Sequence, residues 1–211
     1  SKPRVDKQLL EQYHEGLICL SACLAGEVPQ ALLAGDYERA KQAALYYSSL
    51  FGPGNYYIEI QDHGIEEQRR VLPQLIQLSR ETGIPLVATN DAHYLRREDS
   101  RMQEILICIQ TGKTIQDDDK MEFQTDEFYL KSTDEMYELF SMAPDACENT
   151  NKIAEACNFD FEFGVTKLPY FKAPNGMDNE EYFEDLCQKG LERRYPGAVT
   201  EALRERLRYE T

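Results

Sequence analysis

Hydrophobic and polar positions repeat with two different periods in the first 95 residues, and these periods predict strands and helices in turn. Short apolar runs rich in β-branched and aromatic side chains predict buried strands at residues 17–20, Tyr56–Ile60 and Leu86–Ala88. Stretches with the helical period predict helices between them, at residues 7–14, 28–33, 37–51 and 66–82. Asp6 and Asp36 stand where helix N-caps are expected. Strands separated by helices predict a parallel sheet, so the expected fold class is α/β.

The second half of the chain is predicted to be mainly helical. Helical patterns occur at residues 100–111, from Ser132 onward, at 144–157, at Asn179–Arg194 and from Val199 onward. Strict alternation of Phe with acidic residues predicts a half-exposed strand at 159–163. A stretch punctuated by proline predicts a linker at residues 167–178. We therefore expect one domain at residues 1–166 and the start of another at 179–211.

Chemically versatile side chains follow each predicted strand. Asp91 and His93 come just after the third strand and are two residues apart, so an extended backbone points them to the same side. This arrangement is typical of a metal site, but a capping Asp followed by a packed His is equally consistent with Asp-x-His alone. Cys23 follows the first strand, where it is either a metal-binding thiolate or a small buried side chain. Asp62 and His63 follow the second strand, and an Asx turn is the favoured interpretation there.

The position of these groups favours a metal site over three unrelated features. The carboxyl ends of parallel strands meet at one edge of a sheet, where α/β proteins place their chemistry. The acidic run Asp117-Asp118-Asp119 lies outside this pattern and is expected on the surface, since three adjacent carboxylates do not converge on one ion without special backbone.

Composition excludes several classes of function for this chain. Hydrophobic residues make up 42% of its 211 positions, which is enough for a sizeable core. A net charge of −15 argues against binding of nucleic acid or an anionic membrane by this chain itself. Six dispersed cysteines without Cys-x-x-Cys spacing are typical of a reduced, cytoplasmic protein. Residue 1 is not Met and the last helical pattern has no cap, so we expect a segment of a larger protein.

Several stretches together resemble the alpha subunits of bacterial DNA polymerase III. The matching stretches are residues 2–6, 20–27, 57–64, 87–94 and 168–171. The resemblance implies that residues 1–166 are the later part of a polymerase-and-histidinol-phosphatase (PHP) domain, which in this family resembles a distorted α/β barrel with a metal cluster at its mouth. It also implies that residues 179–211 are the first helices of the polymerase palm.

The resemblance assigns metal ligands residue by residue. Cys23, Asp91 and His93 match ligands of the family's metal cluster, whereas Glu59, Asp62 and His63 match none. The family's opening His-x-His motif and other early ligands would lie upstream of this chain, and the polymerase carboxylates downstream, so no catalytic residue is expected here. The implied cofactor of the intact protein is a divalent metal (zinc, manganese or magnesium), and this chain alone would hold part of that site or no metal at all.

The function implied by the resemblance is that of a DNA-directed DNA polymerase, a nucleotidyltransferase, in chromosomal replication. The PHP site would act as a 3′–5′ exonuclease or phosphoesterase, hydrolyse pyrophosphate, or serve stability alone. Implied partners are DNA, deoxynucleotides and other replisome subunits, contacted by other domains. Two alternatives stay open: a metal-free structural and interaction module, and a stand-alone PHP phosphoesterase similar to histidinol phosphatases. Missing early strands would leave an open sheet edge, so we also expect this chain to pair with a second copy.

Overall fold

The computed structural model describes residues 4–166 and 168–211. The start of the first matching stretch, at residues 2 and 3, and the first residue of the predicted linker, Lys167, lie outside the described residues. The chain divides into two compact units, Ser1–Asn158 and Phe159–Thr211. The assignment of residues 1–166, 167–178 and 179–211 to PHP domain, linker and palm stays a prediction.

The first unit alternates helices and strands in the predicted order. Its elements are α1 (Lys7–Tyr13), β1 (Cys19–Leu20), α2 (Glu27–Leu33), α3 (Tyr37–Phe51), β2 (Tyr56–Ile60), α4 (Glu66–Thr82), β3 (Leu86–Ala88), α5 (Ser100–Thr111), α6 (Thr133–Leu139) and α7 (Pro144–Ala156). The side chains of Asp6 and Asp36 accept hydrogen bonds from Leu9 N and Arg39 N, and so cap α1 and α3 as predicted. Ser132 and Glu135 form a capping box that starts α6.

The three strands form one parallel sheet in the order β1-β2-β3. Cys19 pairs with Tyr56, and Ile60 pairs with Ala88. The α/β class with parallel strands is confirmed, and within the described residues the sheet stays open. On the outer side of β3, Asn149 of α7 donates a hydrogen bond to the carbonyl oxygen of Leu86 at 2.7 Å. Helix α7 therefore satisfies one polar group at that edge.

The core of the first unit surrounds the central strand. Tyr56, Ile58 and Ile60 of β2 are each at most 2% exposed, as expected for a strand covered on both faces. Helices α2, α3 and α4 pack around it with apolar faces, and Phe140 and Ala146 extend the same cluster on the side of α6 and α7. Glu59 is the only member of β2 that is not fully buried, and it lies near the end of the strand where the site is found.

A short bridge closes a long excursion of the chain after β3. Tyr94 pairs in parallel with Tyr129, and the amide of Leu130 donates to the carbonyl oxygen of Tyr94 at 3.0 Å. The amide of His93 donates to the carbonyl oxygen of Phe128 at 2.8 Å. The segment around Phe128 is thereby fixed beside the end of β3.

The second unit contains α8 (Asn179–Arg194) and α9 (Glu201–Glu210), close to the predicted helices. The predicted strand at 159–163 is wrong, since the described residues there form no strand. Its three Phe rings are exposed by 73–88% and contact one another. An alternating pattern becomes a strand only where a neighbouring strand completes the ladder, and the described part of this unit contains none. Across the described residues of both units, no helix is long and apolar enough to cross a membrane.

Candidate functional site

The turn after β1 is built by close backbone contacts and presents Cys23. The amide of Ser21 continues the ladder to Tyr57, and the Ser21 hydroxyl accepts the amide hydrogen of Glu59 at 2.9 Å. Ala22 follows with a φ of 65°, a left-handed conformation that is unusual for Ala. Gly26 closes the turn with a hydrogen bond from its amide to Cys23 O. The side chain of Cys23 is thereby left exposed at the carboxyl end of the sheet.

A polar network joins the ends of β2 and β3 next to this turn. The Gln61 amide nitrogen donates to Glu59 Oε1 at 3.0 Å and to Thr89 Oγ1 at 2.9 Å. The Thr89 hydroxyl donates to the same Glu59 oxygen. Gln61 Oε1 is buried and has no hydrogen-bond partner among the described residues. Glu59, Gln61 and Cys23 line one cavity, so the ends of β1 and β2 meet there, at one edge of the sheet.

The turn after β3 brings Asp91 and His93 together. Asp91 has a φ of 45°, which Asp tolerates better than most residues. Its Oδ1 lies 3.2 Å from His93 Nε2, and the two side chains are 44% and 38% exposed. The His93 ring also contacts Phe123, with ring centroids 4.7 Å apart. A carboxylate and an imidazole therefore lie side by side at the sheet edge and are accessible to solvent.

His63 is the residue of this region whose place the sequence did not predict. Asp62 accepts the Gly64 amide hydrogen at 2.8 Å, which confirms the expected Asx turn. The His63 ring, however, is only 1% exposed and is stacked on Phe128. Phe128 lies far along the chain, so no local pattern could have indicated this contact. The one available signal was the presence of polar side chains after each predicted strand. That signal does not distinguish a buried histidine from a histidine in an exposed loop.

A network of charged and aromatic side chains supports the segment beside the site. Arg97 donates to Asp126, Glu127 and the Tyr129 hydroxyl, and its guanidinium lies 4.8 Å from the Tyr129 ring centre. Lys131 lies 4.4 Å from the same ring centre and pairs with Glu127 at 3.3 Å. Tyr129 is therefore held by two cations.

Two glutamates of this network have lowered pKa values. Burial opposes ionisation of Glu127, but hydrogen bonds from Arg97 and Lys131 outweigh it, so its pKa lies below the ordinary value. A hydrogen bond from the Tyr129 hydroxyl, together with those from Ser132, lowers the pKa of Glu135 to about 2. Both carboxylates are ionised at neutral pH, and the network is fully formed there.

The three predicted ligands stand in two places. Asp91 and His93 form a pair, whereas Cys23 lines the cavity beside Glu59, whose described lining residues include neither of them. Within residues 4–166 and 168–211, no three His, Cys, Asp or Glu side chains are grouped so that they could hold a metal ion. The donors of the pair are the types that bind a divalent ion, but two donors make an incomplete site. The assignment of Cys23, Asp91 and His93 as ligands stays a prediction.

Comparison with known proteins gives a consistent answer. A family model described as PHP domain matches residues 1–63, a range that includes Cys23. The DNA polymerase III subunit alpha of Treponema pallidum is 47% identical over 210 residues, which are 99% of this chain and 18% of that protein. The subunits of Borreliella burgdorferi and Thermus aquaticus are 44% and 40% identical over 99% and 98% of this chain. This chain spans 18% of the length of each of these relatives. Over nearly its whole length the chain is therefore similar to one segment of DNA polymerase III alpha subunits, and its first 63 residues match the PHP-domain model.

Proposed function

We propose that this chain is part of the alpha subunit of a replicative, DNA-directed DNA polymerase and that it supplies part of a divalent-metal site in the PHP region. The Asp91–His93 pair, 3.2 Å apart and partly exposed at the carboxyl end of β3, is the observation that carries the metal proposal. Similarity to polymerase alpha subunits over 98–99% of the chain supports the polymerase context.

The chemistry of the donors fits zinc, manganese or magnesium differently. Carboxylate oxygens suit manganese and magnesium, imidazole suits zinc, and a thiolate such as Cys23 would favour zinc. A bound metal would lower the pKa of a coordinated water and stabilise charge on a phosphoryl group, as in a 3′–5′ exonuclease or another phosphoesterase. The proposed role of this chain is to hold the carboxylate of Asp91 and the imidazole of His93 side by side, at a solvent-accessible edge of the sheet, before a metal binds.

The wider function lies outside these residues. With a net charge of −15 the chain itself is a poor surface for DNA, so DNA, deoxynucleotides and other replisome subunits would be contacted by other parts of the polymerase. We place the protein in the cytoplasm, where its six unpaired cysteines stay reduced.

Metal analysis of the whole alpha subunit tests this proposal. We would measure metal content by elemental mass spectrometry, and hydrolysis of 3′-labelled DNA, for the parent and for Cys23→Ser, Asp91→Asn and His93→Gln. Cys157→Ser and Asp118→Asn change an exposed thiol and an exposed carboxylate elsewhere and serve as matched controls. Loss of metal in the first set with full primer extension is expected. Retention of the metal in all three variants would overturn the ligand assignment.

One observation favours a second candidate, a metal-free structural and interaction module. Asp91 and His93 already satisfy each other, and no third ligand lies beside them in the described chain. Absence of metal from the whole subunit, together with unchanged primer extension, would select this candidate. The match to polymerase subunits on both sides of the proline-rich stretch argues against a stand-alone phosphoesterase.

A further inference from the structure

A buried histidine outside the predicted ligand set holds the turn that carries Asp91 and His93. We infer that His63 is a positioning residue, which fixes the backbone of residues 90–93 through a hydrogen bond to Asn90 and a stacking contact with Phe128, so that the Asp91–His93 pair is formed in advance. Its consequence for metal binding rests on the function proposed above, whereas its consequence for the turn itself does not.

The hydrogen bonds of the His63 ring assign its tautomer. Nε2 lies 2.6 Å from the carbonyl oxygen of Asn90, which can only accept, so Nε2 carries the hydrogen. Nδ1 is then the acceptor, and the Gln68 side-chain amide donates to it at 2.9 Å. The Gln68 side-chain oxygen in turn accepts the backbone amide hydrogen of His63 at 2.8 Å. Because Gln68 is itself buried, its two bonds with His63 are shielded from water, and the bond to Asn90 is partly buried. Together the three bonds give the ring one orientation.

The turn that His63 holds contains unfavourable backbone. Asn90 accepts the bond from His63, and the next residue, Asp91, has a φ of 45°. Such a conformation persists when its surroundings fix it from several sides. The Asn90 side chain donates to the carbonyl oxygen of Tyr129 at 2.5 Å, and the His93 amide donates to that of Phe128 at 2.8 Å. Both ends of the turn are therefore anchored.

His63 also contacts Phe128, whose carbonyl oxygen accepts the amide hydrogen of His93. Its ring is parallel to the Phe128 ring within 6°, with centroids 4.1 Å apart. The Phe128 ring meets the His93 ring edge-on, at 5.8 Å and 75°. His63 thus touches the residue before Asp91 through a hydrogen bond and the residue that holds His93 through its face. A phenylalanine side chain at position 63 would keep the stacking contact with Phe128 but could not donate a hydrogen bond to Asn90. This difference makes the role of His63 testable.

The test compares three variants of the whole alpha subunit with the parent. His63→Phe keeps a flat ring against Phe128 and removes the polar bonds, while His63→Gln keeps a donor that can reach Asn90. Leu78→Ala removes a fully buried side chain of α4 that makes no hydrogen bond to residues 90–93. It serves as a control for general destabilisation. Melting temperature, amide hydrogen exchange in residues 89–94, and binding of Mn²⁺ or Zn²⁺ alone are measured for each.

We expect His63→Phe to raise exchange of the amides in residues 89–94 by about tenfold, because the partly buried hydrogen bond to Asn90 that holds the turn is lost. Metal affinity should fall by about 10- to 100-fold, the usual effect of removing a group that orients a ligand. His63→Gln should restore much of both, and Leu78→Ala should lower the melting temperature without a selective effect on this turn. Exchange in residues 89–94 that rises no more in His63→Phe than in Leu78→Ala would overturn the inference. If the parent binds no metal, the proposed function fails, and hydrogen exchange still decides the role of His63.

Discussion

A β-carbon at Gly26 would lie 2.2 Å from the carbonyl oxygen of Ser21, far inside van der Waals contact. The clash is with backbone, which cannot rotate away. The turn that presents Cys23 therefore requires glycine at position 26. The same turn contains the left-handed Ala22, so the backbone is constrained both just before Cys23 and three residues after it.

Gly26→Ala is accordingly expected to destabilise the first unit by about 3 kcal/mol, at the upper end of the effect of overpacking. Chemical denaturation measures the loss. Gly190→Ala is the matched control, because nothing lies within 4 Å of the added methyl group. It lies within α8 and should stabilise that helix by about 0.5–1 kcal/mol. A neutral Gly26→Ala would mean that the turn can rearrange.

Ser21→Ala should lower the free energy of unfolding by about 1–2 kcal/mol, because it leaves the amide of Glu59, at the partly buried end of β2, without an acceptor. Urea denaturation of the two proteins gives the difference. Ser141→Ala changes an exposed serine and should stay within about 0.5 kcal/mol of the parent. Equal effects of both substitutions would argue that the hydroxyl of Ser21 does not continue the ladder.

The low pKa of Glu135 predicts an acid-dependent loss of stability. Its pKa is about 2 in the folded protein, owing chiefly to the hydrogen bond from Tyr129, and about 4.3 in an unfolded chain. The folded state therefore gains stability from Glu135 above pH 4.3, and loses it progressively as the pH falls toward 2. Glu135→Gln should flatten this part of the pH profile of the melting temperature. Glu138→Gln makes the same change at an exposed position on the same helix and serves as the matched control.

Phe140→Ala should destabilise the first unit by about 3–5 kcal/mol, since the side chain is fully buried in the core and its removal leaves a cavity. Phe163→Ala makes the same chemical change at a side chain that is 88% exposed, and should have little effect on thermal unfolding. Similar losses in the two variants would show that the segment at 159–163 is packed in solution.

Local patterns predicted the helices well because their ends are fixed by neighbouring residues. Asp36 caps α3 through the amide three residues later, and Ser132 and Glu135 cap α6 within one turn. The strand predicted at 159–163 failed because pairing depends on a partner that the pattern does not contain. His63 illustrates the same limit at the site: the Asx turn at Asp62 is local and was predicted, whereas the contacts of the His63 ring with Asn90 and Phe128 join distant parts of the chain.

The candidate site was predictable in part for a similar reason. Parallel strands place their ends at one edge, so the meeting of Cys23 with Glu59 and Gln61 follows from the order of the elements. The sequence predicted an extended backbone that points Asp91 and His93 to the same side, whereas Asp91 has a left-handed backbone in the structure, with a φ of 45°. The network of Glu59, Gln61 and Thr89 depends on side-chain orientations that only the assembled sheet determines.

The bridge between Tyr94 and Tyr129 closes residues 95–128 into a long loop, whose two ends lie side by side near the end of β3. The entropic cost of closing such a loop grows only slowly with its length. Residues near its acidic tip, around Asp118, can therefore be inserted, deleted or replaced by a different module at small cost to folding.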